Sequence, residues 1–547
     1  MIDASNAARR DRASDGETEA RDAETLLRRA RRDRGAGKDA EAVRQLRDAV
    51  RIRPDHPALH VELAGALMAL GRLDEAAASV DAAAALAPGQ IDLWMTLGMI
   101  RYAQSDRGGA LEAFGRAVEC DPHHPQASNN LGLVLLEQGR LQAAADAFLR
   151  AIDANPGYAI ACNNLGKVFD QAGDWAAAET WFNEAVARNG AYAEARHNLA
   201  ASQLKRGAWR PAIETLGALL GAVPGDRRAL WNMSDALLRL GDFAAGWRLY
   251  EHGIGHGEYR GPARPRTVLP YAPDARRLLL WGEQGLGEEI MFASMMPELS
   301  ARGASGVVEC DPRLMPLFAR SLPGWRFVPA TTPPAPETAG PFDAALPLAS
   351  LAQHLRPAIA RFPRHAGYLR ADRARGAALR ARYAGGSPGP VVGISWMSGA
   401  RLDAAAKSTD LRDWAPVLAL GGVRFVSLQF GNVDAQVAAA RRDFGADILV
   451  DPEIDQLRDA DAAAAQVAAM DHVVTVSNTT AHLAGALGRP GMVLLPAARG
   501  LRWHWMTDRP DSPWYPSLTL LRQSEQGRWD DVLAAAAARL AEGRIHP

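Results

Sequence analysis

A proline recurs every 34 residues through much of the first half of the chain, and this period limits the possible fold more than any other feature. Gly190 stands where a further proline of the series would fall. The prolines are Pro54, Pro88, Pro122, Pro156 and Pro224. A fixed period of about 20 to 50 residues is typical of chains built from stacked supersecondary units. The first half is therefore predicted to be a solenoid and not one globular core.

Small and large residues repeat with the same period, as expected for pairs of packed helices. Alanine recurs at two crossing points: Ala42, Ala76, Ala110, Ala144, Ala178 and Ala212 at one, and Ala49, Ala83, Ala117, Ala151 and Ala185 at the other. Large residues recur at two further positions: Leu63, Leu97, Leu131, Leu165 and Leu199, and Phe114, Phe148, Phe182 and Tyr250. Glycines are predicted at the turn within each pair, where a helix C-terminus commonly needs a left-handed residue. They are Gly71, Gly139, Gly173, Gly207 and Gly241.

This pattern resembles the tetratricopeptide-repeat (TPR) family, with about seven units over residues 23–253. The resemblance implies a right-handed superhelix of helical hairpins whose concave face holds a peptide or protein. Residues 1–22 are charged and are predicted to be a flexible N-terminal tail.

Asparagine recurs at one position of four successive repeats, on the helix predicted to line the concave face. The four are Asn130, Asn164, Asn198 and Asn232. A side-chain amide both donates and accepts, so a row of amides can pair with the backbone of an extended peptide. Frequent use of asparagine on this helix for other reasons is the alternative. The TPR arm of O-linked N-acetylglucosamine transferases carries a similar row, and that resemblance implies acceptor-binding here.

Composition excludes several classes of function. Lys plus Arg (62) and Asp plus Glu (63) nearly balance, which provides no global field for nucleic acid or an anionic membrane. Three cysteines without CxxC spacing suggest neither a disulfide framework nor a zinc site. The first residues lack the apolar core expected of a secretion signal, and about 18 apolar residues run together nowhere in the sequence. We expect a cytoplasmic protein without a membrane span or nucleic-acid partner.

The second half alternates short apolar runs with helical stretches, which predicts an α/β architecture. A connector is predicted at residues 254–276, a first lobe at 277–385 and a second lobe at 390–547. The predicted strands are RLLLW, VVEC, WRFVP and DAALPL in the first lobe, and VVGISW, VRFVSLQF, ADILVD, HVVTVS and GMVLLP in the second. Ligands bind such sheets at the carboxyl edge, so a crevice between two such edges is expected.

The strongest chemical motif follows the predicted strand HVVTV, where SNTTAHLAGALG begins a helix. Free backbone N–H groups and hydroxyls there would form a phosphate site, although an ordinary helix cap is the alternative. The segment resembles the nucleotide-sugar motif of heptosyltransferase-like GT-B glycosyltransferases. The resemblance to this family covers roughly residues 277–530. That resemblance implies a GT-B domain of two Rossmann-like lobes, in which the first lobe binds the acceptor and the second binds the nucleotide-sugar. The implied donor-binding residues are Ser477, Asn478, Thr479, Thr480 and His482.

The glycine-rich loop GEQGLGEE of the first lobe fits neither a P-loop nor a dinucleotide fingerprint. Glu288 and Glu289 stand where a P-loop has Lys and Ser or Thr, and Ile290 replaces the last glycine of the fingerprint. In the GT-B family this loop ends in Gly-Asp, and the acidic residue is believed to act as base on the acceptor. Gly287 and Glu288 occupy those positions, so Glu288 is the predicted catalytic base. Glu289, Glu283 or a purely helix-capping role remain alternatives, and Gln284 is expected in the same loop.

Further candidates lie after strands of the second lobe. Lys407, with Ser408, is predicted to neutralise the leaving group in place of a metal. Ser395 and Arg401 lie in the same segment, and Gln429 is predicted to contact the nucleotide base. Among the loop aromatics, Trp505 and Trp514 could stack on a base or sugar, or close the core.

These resemblances imply an inverting, metal-independent protein O-glycosyltransferase that uses a nucleotide-sugar donor and no cofactor. Related TPR-bearing bacterial enzymes modify Ser or Thr of flagellin, often with a nonulosonic acid. Flagellin docked on the TPR arm is therefore the implied acceptor. The alternatives are transfer to lipopolysaccharide or polysaccharide, and a non-catalytic interaction scaffold.

Overall fold

The computed structural model describes residues 21–253, 268–283, 285–331, 335–386, 388–399 and 403–543. These form two compact units, Met1–Ser202 and Gln203–Pro547. Residues 1–20 of the expected tail, 254–267 of the expected connector, Gln284 and Arg401 lie outside the described residues.

The first unit is a series of helical hairpins, as the 34-residue period predicts. Helix α1 covers residues 21–35 of the described chain. The others are α2 (Asp39–Ile52), α3 (Pro57–Ala69), α4 (Leu73–Leu86), α5 (Ile91–Ala103), α6 (Arg107–Cys120), α7 (Pro125–Glu137), α8 (Leu141–Ala154), α9 (Ala159–Ala172) and α10 (Trp175–Arg188). Helix α11 (Ala193–Arg206) contains the boundary between the two units.

Small residues are buried where the helices of a hairpin pack together, and three of them face a phenylalanine. The repeated alanines predicted at the two crossing points are all fully buried. A third small position was not predicted: Gly132 of α7 packs against Phe148 of α8, and an added Cβ there would lie 2.6 Å from the ring. Gly98 and Gly166 face Phe114 and Phe182 in the same way. The period therefore encodes a close helix contact as well as a turn.

The predicted glycine turns have the expected left-handed backbone, with φ of +72° at Gly71 and Gly139 and +80° to +82° at Gly173, Gly207 and Gly241. The hairpin of α5 and α6 has a serine at this position, and Ser105 adopts φ +63°. A side chain in this region is strained by roughly 1 to 2 kcal/mol.

Replacing Ser105 with glycine is expected to stabilise the chain by about 0.5 to 1 kcal/mol, because relief of the strain exceeds the entropic cost of glycine. Thermal unfolding of the full chain measures this. Gly139→Ser, which places the strained residue in a neighbouring hairpin, should have the opposite effect. Equal melting temperatures for all three proteins would contradict the turn assignment.

The second unit begins with helices that share a core with the α/β part. They are α12 (Trp209–Ala222), α13 (Arg227–Arg239) and α14 (Phe243–Tyr250). The Trp247 ring meets Trp503 edge-on at 5.1 Å, and its Nε1 donates to the carbonyl of Arg356 at 2.9 Å. The last hairpin of the predicted arm is thus part of the α/β unit.

Two parallel sheets form the rest of this unit. The first has the order β3-β2-β1-β4. Its strands are β1 (Arg277–Trp281), β2 (Ser305–Cys310), β3 (Trp325–Pro329) and β4 (Ala344–Pro347). All four were predicted. In the connector, Leu269 adds an isolated antiparallel bridge to Ala345.

The second sheet has the order β10-β9-β8-β5-β6-β7. Its strands are β5 (Val391–Ser395), β6 (Arg424–Ser427), β7 (Ile448–Leu449), β8 (His472–Val476), β9 (Gly491–Leu495) and β10 (Leu518–Arg522). Strand β10 was not predicted, and β7 is shorter than predicted. In each sheet the strand order reverses at one point, between β1 and β4 and between β5 and β8. Loops diverge at such a point and leave a crevice at the carboxyl edge.

Helices α15 (Leu286–Ala293) and α24 (Thr479–Ala486) begin directly after β1 and β8 and contact each other. The remaining helices are α16 (Met296–Ala301), α17 (Met315–Ser321), α18 (Ala352–Leu355), α19 (Arg373–Ala384), α20 (Ala404–Lys407), α21 (Ala415–Leu418), α22 (Asp434–Phe444), α23 (Ala460–Ala468) and α25 (Asp530–Ala541).

Candidate functional site

A cavity of about 360 Å³ lies at the carboxyl edges of the two sheets. Part of its lining comes from the segments at both reversal points, after β1 in the first sheet and after β5 and β8 in the second. Eight of the predicted site residues line it: Gly287, Glu288, Lys407, Ser477, Asn478, Thr479, Thr480 and His482. The structure therefore brings together residues that are separated by up to about 195 positions in the chain.

Two cations in the cavity, Lys407 and Arg502, form no ion pair with a carboxylate of the described residues. Lys407 is 3% exposed, and no described carboxylate forms an ion pair with it. Burial, reinforced by the charge of Arg502, lowers the pKa of Lys407 to about 8. Arg502 also lines the cavity without an ion pair among the described residues. A buried lysine without an ion pair favours an anionic ligand.

Gly500 leaves room for the stem of Lys407. A Cβ at Gly500 would lie 2.8 Å from Cγ of Lys407, and the backbone there has φ +83°. Both facts favour glycine at this position.

The N-terminus of α24 provides further anion-binding groups. Asn478 is the N-cap, and its Oδ1 accepts from the N–H of Ala481 at 3.3 Å. The N–H groups of Thr479 and Thr480 have no hydrogen-bond partner among the described residues. Free N–H groups at the positive end of a helix bind phosphate.

Among the three acidic candidates, Glu288 alone lines the 360 Å³ cavity. It is half-buried, forms no hydrogen bond within the described chain and lies in the first turn of α15, so an interaction with the helix dipole remains the alternative to a catalytic role. Glu289 instead accepts from the N–H of Asp311 at 2.9 Å and packs over Gly282. The geometry therefore favours Glu288 over Glu289 as a group that meets a ligand.

His482 lies where α15 and α24 meet. Its side chain is 5% exposed, and burial lowers its pKa to about 3, which keeps the imidazole neutral. A Cβ at Gly287 would lie 2.6 Å from Cδ2 and 2.9 Å from Nε2 of this ring. Gly287 thus provides the space that His482 occupies.

Ser408 and Gln429 are not among the residues that line the cavity. The amide oxygen of Gln429 accepts from the Ser395 hydroxyl at 3.0 Å and from the N–H groups of Trp396 and Met397. The Ser408 hydroxyl accepts from the N–H of Ser398 at 3.0 Å. Both side chains shape the loop after β5, and their proposed contacts with a donor remain predictions.

Hydrogen bonds tie this loop to the one after β8. The Asn478 amide donates to the Ser395 hydroxyl at 2.8 Å and to the carbonyl of Met397 at 3.1 Å. Trp505 is fully buried, and its Nε1 donates to the Ser477 hydroxyl at 2.8 Å. Trp514 is also buried in the core. The packing therefore favours a core role for both tryptophans over stacking on a base or sugar.

His504 was not predicted as a site residue. It lines the cavity and is 2% exposed, yet neither ring nitrogen has a hydrogen-bond partner in the described chain. Burial holds its pKa well below the usual value, so the ring is neutral. A buried polar group without a partner costs stability, and a ligand in the cavity that forms a hydrogen bond with this ring would remove that cost.

Replacing His504 with phenylalanine is expected to raise the free energy of unfolding of the ligand-free chain by about 1 kcal/mol, since it removes two unpaired polar atoms. The matched control is His365→Phe. His365 is hydrogen-bonded to the carbonyl of Trp514 and the N–H of Gly367, so its loss should destabilise. Thermal unfolding distinguishes the two. A lower melting temperature for H504F than for the unsubstituted chain would contradict the assignment.

Comparison with known proteins identifies the helical part. Residues 34–100 match one tetratricopeptide-repeat family model, and residues 95–159, 143–195 and 197–250 match another. Residues 34–250 are tetratricopeptide repeats.

A curated relative extends beyond the repeats. The chain is 33% identical over 330 residues to protein FlbA of Caulobacter vibrioides, across 56% of this chain and 54% of that protein. The chain thus spans about half the length of this relative. Because 56% of the chain is more than its first 253 residues, the aligned region must include part of the α/β region.

Comparison with solved structures gives matches to part of the chain. The type IV pilus biogenesis factor PilW has 18% identity and a TM-score of 0.35, across 38% of this chain and 96% of its own. YrrB, a TPR protein with an unusual peptide-binding site, has 19% identity and a TM-score of 0.30, across 34% of this chain and 95% of its own.

The asparagines of the tetratricopeptide repeats are bonded between successive repeats. Asn164 donates to Oδ1 of Asn129, and Asn198 donates to Oδ1 of Asn163, each at 2.9 Å. Asn164 is buried, whereas Asn130 and Asn198 are half-buried. Asn232 belongs to the second unit and is half-buried there. Part of this amide row therefore stabilises the stacking of the repeats. Its role in acceptor binding remains a prediction.

Within the described ranges, no helix is long and apolar enough to cross a membrane, and no group of three His, Cys, Asp or Glu residues is arranged to hold a metal ion.

Proposed function

We propose that the α/β unit transfers a sugar from a nucleotide-sugar donor to a protein hydroxyl, and that the tetratricopeptide repeats bind the protein acceptor. The observation that carries the proposal is the composition of one cavity. A half-buried carboxylate, Glu288, shares it with a buried lysine, Lys407, that has no ion-pair partner in the described chain. Sugar transfer needs both: a base for the acceptor and a cation for the leaving group.

The reaction proceeds by a single displacement. The acceptor oxygen forms a bond to the anomeric carbon as the bond from that carbon to the phosphate oxygen breaks, which inverts the configuration. Glu288 takes the proton of the acceptor hydroxyl. Lys407, Arg502 and the N-terminus of α24 stabilise the negative charge that develops on the phosphate.

Support for an acceptor-binding arm comes from the repeats, because stacked helical hairpins present an extended concave surface to protein ligands. The proposed acceptor is Ser or Thr of flagellin.

Release of nucleotide tests the donor chemistry without an acceptor. The full chain is incubated in turn with UDP-, GDP-, ADP- and CMP-linked sugars, and the nucleotide set free is measured. We expect one class of donor to be hydrolysed slowly, and Lys407→Met to abolish that hydrolysis. The proposal fails if no donor is hydrolysed and none raises the melting temperature.

Replacing Asn130, Asn164, Asn198 and Asn232 with alanine is expected to raise the KM for a flagellin acceptor at least tenfold and to leave donor hydrolysis unchanged. Asn129→Ala with Asn163→Ala is the matched control, since it removes the same two bonds between repeats but retains the four amides. An equal rise of KM in both variants would show that the row acts only through stacking.

A further inference from the structure

The segment that carries Arg502 and His504 into the cavity packs against a helix of the tetratricopeptide repeats. This cavity segment, residues 501–507, lies after β9 and includes a short 3-10 helix, Trp503–Trp505. The short helix contacts α13, which belongs to the last hairpin of the repeats. Both elements lie within the second compact unit. The repeats therefore supply part of the support for the cavity.

Arg239, the last residue of α13, contacts the cavity segment at both of its ends. Its Nη1 donates to the carbonyl oxygen of Leu501, and its own backbone carbonyl accepts from the Thr507 hydroxyl at 3.4 Å. Packing is close beside these bonds, since a Cβ at Gly241 would lie 3.0 Å from Cε of Met506. Arg239 thus holds the cavity segment on both sides of the residues that line the cavity.

The guanidinium of Arg239 is fixed on the repeat side. The residue is 8% exposed, and its Nε and Nη2 donate to the two carboxylate oxygens of Asp235 at 2.6 and 3.1 Å. The group also lies over the ring of Trp209, at 4.6 Å from the ring centroid. A two-pronged ion pair and a cation–π contact both restrict orientation. Nη1 therefore reaches Leu501 from a rigid support.

The bond to Leu501 determines how the backbone enters Arg502. The carbonyl oxygen of Leu501 and the nitrogen and Cα of Arg502 lie in one peptide plane, which does not rotate. A donor that fixes the oxygen therefore fixes the direction of the chain at Arg502. On the other side, the carbonyl of Arg502 accepts from the N–H of Trp505 at 3.1 Å. With both flanking peptides held, the Arg502 side chain starts from a defined backbone.

We propose that Arg239 is a positioning residue through which the last hairpin of the repeats holds Arg502 in place for the phosphate of the donor. The phosphate as ligand rests on the proposed function, whereas the contact of Arg239 with the cavity segment does not. Arginine suits this role because its planar fork binds a carboxylate with two nitrogens and leaves a third for a carbonyl, which lysine cannot do. The repeat arm is thus part of the donor site.

Hydrogen–deuterium exchange of the full chain without ligand tests the support of the cavity segment. Arg239→Met removes the bond to Leu501, so the amides of residues 501–507 are expected to exchange about tenfold faster. If this variant does not fold, Arg239→Lys replaces it, since lysine keeps a cation beside Asp235 but loses the fork. Unchanged exchange in the cavity segment would overturn the proposal.

Arg356→Met is the matched control. Arg356 is also buried, donates to Glu298 at 2.7 Å and to the carbonyl of Leu355 at 2.8 Å, and lies over the ring of Phe362. It is not among the residues that line the cavity. Arg356→Met should therefore leave exchange in the cavity segment unchanged. Equally fast exchange there in both variants would mean that Arg239 acts only through general stability, and would overturn the proposal.

A double-mutant cycle distinguishes positioning from a merely structural role. Calorimetric titration with CMP, UDP, GDP and ADP identifies the nucleotide that binds most tightly. Arg502→Met and Arg239→Met should each weaken that binding about tenfold. In the Arg502→Met background, Arg239→Met should add a loss of less than about twofold, because the residue through which it acts is absent. An equal loss in both backgrounds would overturn the proposal.

Binding of none of the four nucleotides would contradict the proposed function alone. The contact of Arg239 with the cavity segment would then stand if Arg239→Met speeds exchange in that segment and Arg356→Met does not, and would fall otherwise.

Discussion

Glu288→Gln is expected to lower kcat for sugar transfer by about 10² to 10⁴, the contribution typical of a general base. Glutamine retains the size and the hydrogen-bonding oxygen of the side chain but cannot take a proton from the acceptor hydroxyl. Since the anion site lies on the second sheet, the affinity for free nucleotide should change less than twofold. Steady-state kinetics and calorimetric titration with nucleotide measure the two quantities.

Glu289→Gln is the matched control for this variant. Glu289 accepts from the N–H of Asp311, and a glutamine oxygen can accept the same bond. Its activity should remain near that of the unsubstituted protein. Glu288→Gln with more than half of the normal kcat, or Glu289→Gln with the larger loss, would assign the base elsewhere.

Lys407→Met is expected to lower kcat/KM by about 10² to 10³, since it removes one preorganised charge from the leaving group while keeping an unbranched side chain. Lys407→Arg preserves the charge. Arginine should therefore recover part of the activity, although a larger head group must fit beside Gly500. Identical losses in both variants would indicate a packing role for Lys407.

The lowered pKa of Lys407 gives this prediction a pH dependence. The ammonium is fully present well below pH 8 and is lost as the pH rises through about 8. The apparent affinity for nucleotide should thus fall above pH 8, by up to about tenfold per pH unit. A bound phosphate raises the pKa of the lysine, so binding near pH 8 should take up a proton. Lys407→Arg should lack both effects.

Much of the fold could be predicted because it repeats. The 34-residue period predicted the helical hairpins and the turns within them. Ser105 stands where other hairpins have glycine, and it has the same left-handed backbone. Strands buried on both faces were recognisable as continuous apolar runs. Strand β10 was missed because its five residues follow a Pro- and Trp-rich loop that ends in a turn signal.

The candidate site could be predicted only where a motif stands at the end of a strand. Glu288 lies in the first turn of the helix after β1, Lys407 ends the short helix after β5, and the cavity brings them together. Spacing could not show which way a side chain turns. Gln429 lies two residues after β6, and its amide oxygen accepts from the N–H of Trp396, while its contact with a nucleotide base stays a prediction. His504 carries no motif. Its significance comes from burial without a partner, which only tertiary structure reveals.

Intact-mass spectrometry of flagellin tests the central claim most directly. Flagellin is isolated from a strain that lacks this gene and from the same strain complemented with the unsubstituted chain or with Glu288→Gln. Sugar transfer predicts a mass increase by whole sugar residues with the unsubstituted chain, and unmodified flagellin with Glu288→Gln at equal protein levels. Identical flagellin masses in all three strains would contradict the assignment of flagellin glycosylation to this protein.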